Sequence, residues 1–432
     1  MFRQELNPKE EDMGKVRKVG LTLLLVLVMV APIFAAGQAE PGVVTIRYAN
    51  FSAGEHNAET LQKMVNLFMA KNPGIKVELE SMGYGDNYWT SLITRIAGGD
   101  APDAFELNME QFLAFTLRGS NRPLDELFTK TGVSKGIFGE GLLDAVSFNG
   151  KVMAVPQSFS TVVLIYNKAL FDQAKTPYPT ADWTWDDALE AAKDITALGD
   201  DIWGTYNPIQ FWEFYKVVQQ NGGSLMTADG KQFTIYSPQN IETLQYMLDR
   251  VWKYHVMPTR EQQANRPEGD MFVDGKLGMW LNGVWAFTDL KDRVKFNWGI
   301  EMEPGKLSKA THFFGNVGCI STTTKHPEET FKFLAFMASD PDVVQLRLDA
   351  QWELPTVSDP TVMERYLADT PPDNKIAVLN SLQYAVKPPA LLQFSELTNI
   401  VNTKIELARD GELTAKEALD LAQAEASEKI KL

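Results

Sequence analysis

Cysteine is almost absent from this chain. Its 432 residues include a single cysteine, Cys319, in the segment GNVGCIST. No disulfide can therefore form within the chain. A catalytic thiol is one interpretation of Cys319, but a lone small thiol among apolar neighbours is more often buried and inert. We favour the inert thiol.

The sequence also lacks the motifs that bind metals, dinucleotides and nucleotide phosphates. No HExxH, CxxC or EF-hand spacing is present. Glycine pairs at 83/85 and 98/99 match neither the dinucleotide fingerprint nor the P-loop, and there is no GxSxG element. We expect no metal and no cofactor. The four histidines are far apart in the sequence, at His56, His255, His312 and His326.

Positive charge is scarce. The chain has 41 Lys and Arg against 56 Asp and Glu, which gives a net charge of −15. A surface that binds nucleic-acid phosphates needs an excess of positive charge, so we expect no nucleic-acid partner. The 24 Phe, 12 Tyr and 10 Trp exclude a disordered chain. The length predicts two or three domains.

The first 36 residues have the pattern of a secretory signal. Basic residues at 15, 17 and 18 precede an apolar run over 21–30, and small residues follow at 35–39. The run is shorter than the ~20 apolar residues that span a bilayer. Met13 is a candidate start because residues 1–12 are acidic, and cleavage after Ala35 or Ala39 fits equally well. Without a lipobox cysteine, we expect an exported protein with its signal cleaved and with no lipid anchor.

The mature chain begins with a β-α-β-α-β pattern. Residues 43–49 alternate as a strand, and Leu61, Met64, Val65 and Phe68 recur at helical spacing up to 72–74. A strand over 75–79, a helix that ends at 98–99 and a strand over 104–107 follow. This order predicts an α/β fold with a parallel sheet and helices on both faces.

Helix caps are the clearest signals in the rest of the chain. Thr184 opens a capping box, Ser237 precedes a proline at a helix start, Pro327 opens another helix, and Thr414 pairs with Glu417. Residues 151–165 predict a strand pair, and the region after about 358 predicts mainly helix. No low-complexity linker separates the domains, as expected for a chain that crosses between them several times.

Polar side chains follow each of the first three predicted strands. Ligands bind at this position in open α/β sheets, so the three loops predict a shared crevice. Solvated loop residues are the alternative interpretation. The loops carry Ser52, Glu55 and His56; then Tyr84, Asp86, Asn87 and Tyr88; then Asn108 and Glu110.

The segment MFVDGKLGMWLNGVWAF, residues 271–287, places two tryptophans and an amide close together. Its glycines predict a turn, a strand and a second turn, and Trp280, Asn282 and Trp285 lie along it. Indole faces stack on the apolar C–H surface of a sugar ring, while amides and carboxylates bind its hydroxyls. The alternative is that both tryptophans pack in a core.

Several ordered segments resemble one known family. NPGIKVELE, LITRIAGGDAPDAFELN, NGKVMAVPQSFSTVVLIYNKALFDQA, DGKLGMWLNGVWAF, FNWGIEMEPGK and FGNVGCISTTTKHPEETFKFLAFMAS together resemble extracellular solute-binding proteins of carbohydrate ABC importers. The resemblance covers roughly residues 43–430. It implies a two-lobed periplasmic-binding-protein fold, in which each lobe is a largely parallel sheet with helices on both faces and a hinge lies between them.

The resemblance also implies lobe boundaries. The first lobe would comprise 43–157 and 318–353, and the second lobe 160–315 and 358–432. The chain would cross between them near 157–161, 316–318 and 354–358. A carbohydrate would bind in the cleft, and the protein would deliver it to an integral-membrane ABC permease, as an expected monomer.

The resemblance further assigns candidate cleft residues. Its NGxW segment places Trp285 and Asn282 at the solute, and its polar loop residue falls on Asn108. The crossings add four more candidates, Ser158, Ser160, Gly315 and Asn316. The early tryptophan of many relatives is missing from the first loop, and Phe51 of that loop or Tyr84 of the second loop could replace it in stacking. Trp203, Tyr206, Trp212 and Trp352 are further stacking candidates, of which we favour Trp212; a buried helix turn is the alternative for it.

Two other functions stay open. One is a binding protein for a non-sugar solute. A carboxylate solute would favour Arg or Lys in the cleft, and the three loops carry none. The other, less favoured, is a secreted enzyme acting on glycans, because 56 acidic residues could hide the two carboxylates that a glycosidase uses. The visible pairs at 186/187 and 328/329 lie in first turns of predicted helices, where they complement the helix dipole.

Overall fold

The computed structural model describes residues 42–432 except 55, 81, 84, 85, 140, 264, 265 and 390. The predicted signal segment, its candidate start and its two cleavage sites lie outside the described residues. Within the described part of the chain, no helix combines the length and apolar character that a membrane crossing requires.

Most strands belong to one mixed sheet. The strands are β1 (Val44–Ala49), β2 (Ile75–Glu80), β3 (Ala104–Asn108), β4 (Ser147–Phe148), β5 (Lys151–Val152), β6 (Val155–Asn167), β7 (Trp203–Tyr206), β8 (Leu277–Gly283), β9 (Trp298–Glu301), β10 (Thr311–Ile320), β11 (Leu354–Pro355) and β12 (Ala385–Val386). The order in the mixed sheet is β2-β1-β3-β10-β6-β8-β7. Strands β9 and β11 pair with β6, and β12 pairs with β10, while β4 and β5 form a separate hairpin.

Helices account for much of the remaining chain. They are α1 (Ala58–Lys71), α2 (Asp86–Ala97), α3 (Met109–Leu117), α4 (Asp125–Thr131), α5 (Leu142–Ala145), α6 (Lys168–Ala174), α7 (Trp185–Thr196), α8 (Phe211–Gln220), α9 (Pro238–Trp252), α10 (Arg260–Gln263), α11 (Glu268–Val273), α12 (Ala286–Arg293), α13 (Pro327–Ser339), α14 (Pro341–Asp349), α15 (Pro360–Ala368), α16 (Ile376–Ser381), α17 (Phe394–Arg409) and α18 (Ala415–Lys429).

The first five elements form as the periodicity predicts. Strand β1 pairs in parallel with β2 and with β3, and α1 buries Leu61, Met64, Val65 and Phe68 on one face. The cap predictions are also confirmed: Thr184 and Thr414 each close a capping box, and Ser237 accepts a bond from a first-turn N–H of α9. These features depend on neighbours within a few residues, so the local sequence determines them.

The predicted strand pair over 151–165 is wrong. Strand β5 pairs with β4, whereas β6 is one 13-residue strand that runs without a turn from Val155 to Asn167. It pairs antiparallel with β10 on one side and with β8 and β9 further along. Alternating apolar residues cannot distinguish one long strand from two short ones when the partners are unknown.

The buried side chains form separate cores at the two ends of β6 and β10. One core takes its residues from 46–155 and 317–352, and the others take theirs from 162–302 and 344–430. We call the part built around the former the first lobe and the part built around the latter the second lobe. Helix α14, which the resemblance placed in the first lobe, contributes to both: Val343 packs in the first-lobe core, and Val344 and Leu348 pack in a second-lobe core. The lobe boundaries themselves stay predictions.

Candidate functional site

Three aromatic side chains meet beside the start of β10, and we call them the aromatic wall. The Trp285 ring lies edge-on to Phe314, with centroids 5.1 Å apart, and Phe314 lies 6.1 Å from Trp212. Trp285 is 37% exposed, whereas Trp212 and Phe314 are half-buried. The wall therefore presents an accessible indole supported by two packed rings.

The position of the Trp285 indole depends on Gly283. Trp285 immediately precedes α12, two residues after β8 ends at Gly283. Its ring lies so close to Gly283 that a Cβ there would be 2.0 Å from a ring carbon. Asn282, half-buried at the end of β8, accepts a bond from the Gly283 N–H at 2.9 Å. Both predicted residues thus lie at the same end of β8.

A polar contact joins the aromatic wall to the first lobe. His312 stacks on Phe314 with ring centroids 3.5 Å apart, and its Nε2 lies 2.8 Å from Glu110 Oε1 on α3. Its Nδ1 contacts the Tyr215 hydroxyl. The His312 side chain is fully buried, and burial lowers its pKa while the hydrogen bond to Glu110 opposes the shift. We assign a neutral ring that donates from Nε2 to Glu110 and accepts the Tyr215 proton at Nδ1.

The other polar residue predicted in the third loop, Asn108, caps α3. Its Oδ1 accepts a bond from the Gln111 N–H at 3.0 Å, and its backbone pairs with Asn316 of β10. Asn108 and Glu110 are therefore both at the β3–α3 junction, next to the aromatic wall. Met109 lies between them, and its side chain approaches Gly315, where an added Cβ would be 2.9 Å from Met109 Cγ.

Three of the residues that the resemblance placed at the solute are buried. Ser158 is 2% exposed, Asn316 5% and Ser160 0%. Ser158 Oγ donates to a Glu353 carboxylate oxygen, and Asn316 Nδ2 donates to the same oxygen at 2.8 Å. Ser158 and Asn316 therefore bond to the protein in this conformation, and the predicted place of Ser158, Ser160 and Asn316 at the solute stays a prediction.

Two of the predicted stacking tryptophans are core residues. Trp352 is 1% exposed and lies under the guanidinium of Arg347, 4.4 Å from the ring centroid. Trp280 is 5% exposed and packs beside Phe272 in a second-lobe core. In this conformation neither ring has a free face for a solute, and the stacking role expected of each stays a prediction. Core packing, the alternative that the sequence left open, applies to Trp280.

The second loop is only partly described. Tyr84 lies outside the described residues, so its predicted role stays a prediction. Asp86 is the first residue of α2. Tyr88 is buried, and its hydroxyl donates to the backbone carbonyl oxygens of Ala49 and Glu106. Tyr88 thus fixes β1 to β3.

Glu106 is a residue that the sequence analysis missed. It is 2% exposed at the middle of β3, and its carboxylate accepts bonds from the Ser52 N–H and Oγ, both at 3.0 Å, and from Asn50 Nδ2 at 2.9 Å. Burial raises its pKa to about 7, and these bonds oppose the shift. An acidic residue inside an otherwise apolar strand (AFELN) was the available signal. Glu106 holds the loop that precedes α1.

The two lobes touch on both sides of the aromatic wall. His56 Nδ1, in the loop after β1, lies 3.7 Å from Asp289 Oδ1 on α12. Gln111 Nε2 on α3 donates to Ser395 Oγ on α17 at 3.1 Å. The wall, Asn282, Asn108 and Glu110 lie between these contacts, so they form one candidate site at the junction of the lobes.

A surface cavity of about 750 Å³ lies elsewhere, between α7 and α9. Among the predicted site residues whose side chains the structure describes, none lines this cavity. One of its carboxylates, Glu242, is already bonded to Lys306 at 2.6 Å. The candidate site is therefore the lobe junction and not this cavity. Cys319 is buried, and burial raises the pKa of its thiol, as expected for an inert thiol.

Known structures have the same fold. An ABC substrate-binding protein from Listeria monocytogenes, solved in complex with cycloalternan, is 37% identical, with a TM-score of 0.85; the match covers 89% of this chain and 98% of that one. The maltose-bound MalE3 protein of T. maritima is 22% identical, with a TM-score of 0.76, over 90% of this chain and 100% of that one.

Proteins with similar sequences are also saccharide-binding proteins by name. An arabinooligosaccharide-binding protein from Bacillus subtilis is 23% identical over 435 residues, 95% of this chain and 98% of its own length. A maltotriose-binding protein from Pyrococcus abyssi is 23% identical over 70% of this chain; the match spans 64% of that protein.

A family model agrees with these matches. The model for bacterial extracellular solute-binding proteins matches residues 53–344, which is more than half of the chain. The resemblance described from the sequence and the two-lobed α/β fold are thereby confirmed. The chain belongs to the bacterial extracellular solute-binding protein family.

Proposed function

We propose that this protein binds an oligosaccharide between its lobes and delivers it to a membrane ABC permease. The observation that carries the proposal is the exposed Trp285 indole, supported by Phe314 and Trp212 at the lobe junction. A ring-shaped polar solute can stack on that face while hydroxyls reach Asn282, Asn108 and Glu110.

The Listeria protein suggests the first solute to test. It shares 37% of its residues with this chain and was solved with cycloalternan. The maltotriose- and arabinooligosaccharide-binding relatives also bind saccharides, as their names state. Cycloalternan, maltotriose and an arabinooligosaccharide are therefore the probes that we propose for the site.

Closure of the lobes would complete the site. Because the contacts His56–Asp289, Gln111–Ser395 and Glu110–His312 each join the two lobes, an open form would lose some of them. A solute shifts the population toward the closed form only through contacts that the open form lacks. A shift from 1:99 to 99:1 needs ~5.5 kcal/mol, which stacking at ~0.5–1.5 kcal/mol and several hydrogen bonds at ~1 kcal/mol each can supply.

We infer that the protein works outside the cytoplasmic membrane, in the periplasm, as a monomer, and that it returns its solute unchanged. The closed form would dock on the permease with both lobes, since only that form has them in a fixed relation. Nucleic acid plays no part in the proposal.

A thermal-shift panel followed by calorimetry tests the proposal. We expect cycloalternan or another oligosaccharide in the panel to raise the melting temperature and to bind with 1:1 stoichiometry. Chromatography of the recovered saccharide should show it intact, whereas shortened products would indicate a glycan-acting enzyme. If no linear or cyclic saccharide in the panel raises the melting temperature, a non-sugar solute is favoured.

A further inference from the structure

Three chain segments meet at a single carboxylate, that of Glu353. Glu353 Oε2 accepts bonds from Ser158 Oγ on β6 and from Asn316 Nδ2 on β10, and Asn316 also donates to Ser158 Oγ at 3.2 Å. Glu353 itself directly precedes β11, which pairs with β6 at Phe159 and Ser158. Ser158 and Asn316 belong to two of the three segments predicted to cross between the lobes, and Glu353 directly precedes the third, residues 354–358. We call Ser158, Asn316 and Glu353 the hinge cluster.

The backbone around the hinge cluster is irregular. Glu353 has φ +52°, in the left-handed region that side chains other than glycine rarely adopt. The β6–β10 register shifts between Asn316 and Val317, so β6 has an extra residue at Gln157. Such conformations persist only where the surroundings hold them, and here the carboxylate of Glu353 contacts both strands beside the bulge.

The charge of Arg347 acts both on Glu353 of the hinge cluster and on Glu106 of the first lobe. Glu353 is 8% exposed and Arg347, on α14, is 4% exposed. Burial raises the pKa of Glu353, while its bond from Ser158 and the positive charge of Arg347 oppose the shift. The same guanidinium also favours the charged form of Glu106, and the charge of Glu353 disfavours it. Two buried carboxylates thus interact with one buried cation.

Glu106 in turn bonds to a loop at the edge of the candidate site. Its carboxylate fixes Asn50 and Ser52, which begin the loop after β1. The same loop carries His56, which approaches Asp289 of the second lobe. Arg347 Nη1 also donates to the Trp352 carbonyl oxygen at 3.3 Å, directly beside Glu353. The charges of Glu353, Arg347 and Glu106, together with the bonds of Glu106 to Asn50 and Ser52, therefore connect the crossing strands to a loop that touches the opposite lobe.

We propose that Glu353 is a positioning residue of the hinge, which ties the three crossing segments together and, through Arg347 and Glu106, couples their arrangement to the loop after β1. This inference rests on the proposed closure of two lobes around a solute. Glu353 touches no solute; it acts by limiting the range of angles that the lobes adopt.

Glu301 offers a matched control. It is also 8% exposed and also accepts a bond from an asparagine amide, Asn374 Nδ2, at 2.9 Å. Glu301 lies on β9 in the second lobe, so Glu301→Gln changes the same kind of buried acid–amide pair without touching a crossing segment. Glu353→Gln and Glu301→Gln should lower the melting temperature by similar amounts. A difference between the two variants in the distance between the lobes then reports hinge geometry and not a loss of stability.

The experiment measures the distance between the lobes in the protein without ligand. Spin labels go on cysteines introduced at two exposed sites, Glu126→Cys on α4 and Asp420→Cys on α18, because the native Cys319 is buried. We expect Glu353→Gln to widen the distance distribution at least twofold relative to Glu301→Gln. Adding Asn316→Asp to Glu353→Gln restores an acid–amide pair and should narrow the distribution again.

Equal widths for the two glutamine variants would overturn the inference. If Glu353→Gln does not fold, Ser158→Ala removes one donor and should widen the distribution by a smaller factor; an unchanged width would then refute the proposal. The proposed function fails separately, if the labelled wild-type protein keeps the same distance after cycloalternan and the other saccharides are added.

Discussion

Trp285→Ala is the substitution that most directly probes the aromatic wall. The ring is 37% exposed, and a tryptophan buries up to ~250 Å², so about 90 Å² is available to a solute. A solute that stacks on one face covers roughly half of that area, worth ~1.1 kcal/mol at ~25 cal/mol per Å². Stacking adds ~0.5–1.5 kcal/mol. The expected loss is therefore ~2 kcal/mol, or roughly 30-fold in Kd.

The control for Trp285→Ala is Trp252→Ala. Trp252 is 46% exposed on α9, and its indole N–H donates to the Arg409 carbonyl at 3.1 Å, away from the wall. Isothermal titration of the oligosaccharide that binds the wild-type protein should give less than a twofold change for this variant. A Trp285→Ala protein that is folded by circular dichroism and binds with wild-type affinity would refute the site, and so would equal losses in both variants.

Three further predictions follow from the structure. Gly283→Ala should weaken binding about as much as Trp285→Ala, because the new Cβ would occupy the position of the indole ring; calorimetry showing wild-type affinity would contradict this. Saturation with ligand at 100 times Kd should add ~2.7 kcal/mol to the free energy of unfolding, and a scan without a rise in Tm would exclude that ligand. The third concerns pH: the pKa of Glu106 is raised from 4.5 to about 7, so between these values the folded state binds a proton that the unfolded state lacks. Stability should therefore rise as pH falls from 7 to 5, with a contribution from this residue of up to ~1.4 kcal/mol per pH unit. Urea denaturation should show a flatter dependence for Glu106→Gln, whose neutral side chain faces the same Tyr48, Tyr88, Arg347 and Glu353; an unchanged slope would contradict the assignment.

Local chemistry explains which parts of the fold could be predicted from the sequence. The β1-α1-β2-α2-β3 unit follows from periodicity. The starts of α7 and α18 follow from capping residues three positions apart, and the start of α9 follows from Ser237 before a proline. Trp285 and Asn282 were predictable as neighbours because a short strand and turn place them at one end of β8. These inferences need no knowledge of distant contacts.

The hinge cluster could not be predicted, because it depends on register. Ser158 and Asn316 lie at the segments that the resemblance placed in the cleft, yet both side chains bond to Glu353. A one-residue shift between β6 and β10 occurs beside Asn316, and such a shift exchanges the faces of the strand. The burial of Trp280 could not be predicted either. Its ring packs beside Phe272 of α11, and the alternation of residues along β8 does not show which helix covers that face.

Small-angle X-ray scattering of the wild-type protein tests the central claim most directly. A saccharide that raises Tm and binds 1:1 should also reduce the radius of gyration, because it stabilises the contacts between the lobes on both sides of Trp285. Tight binding of that saccharide with an unchanged scattering profile would contradict closure around the solute.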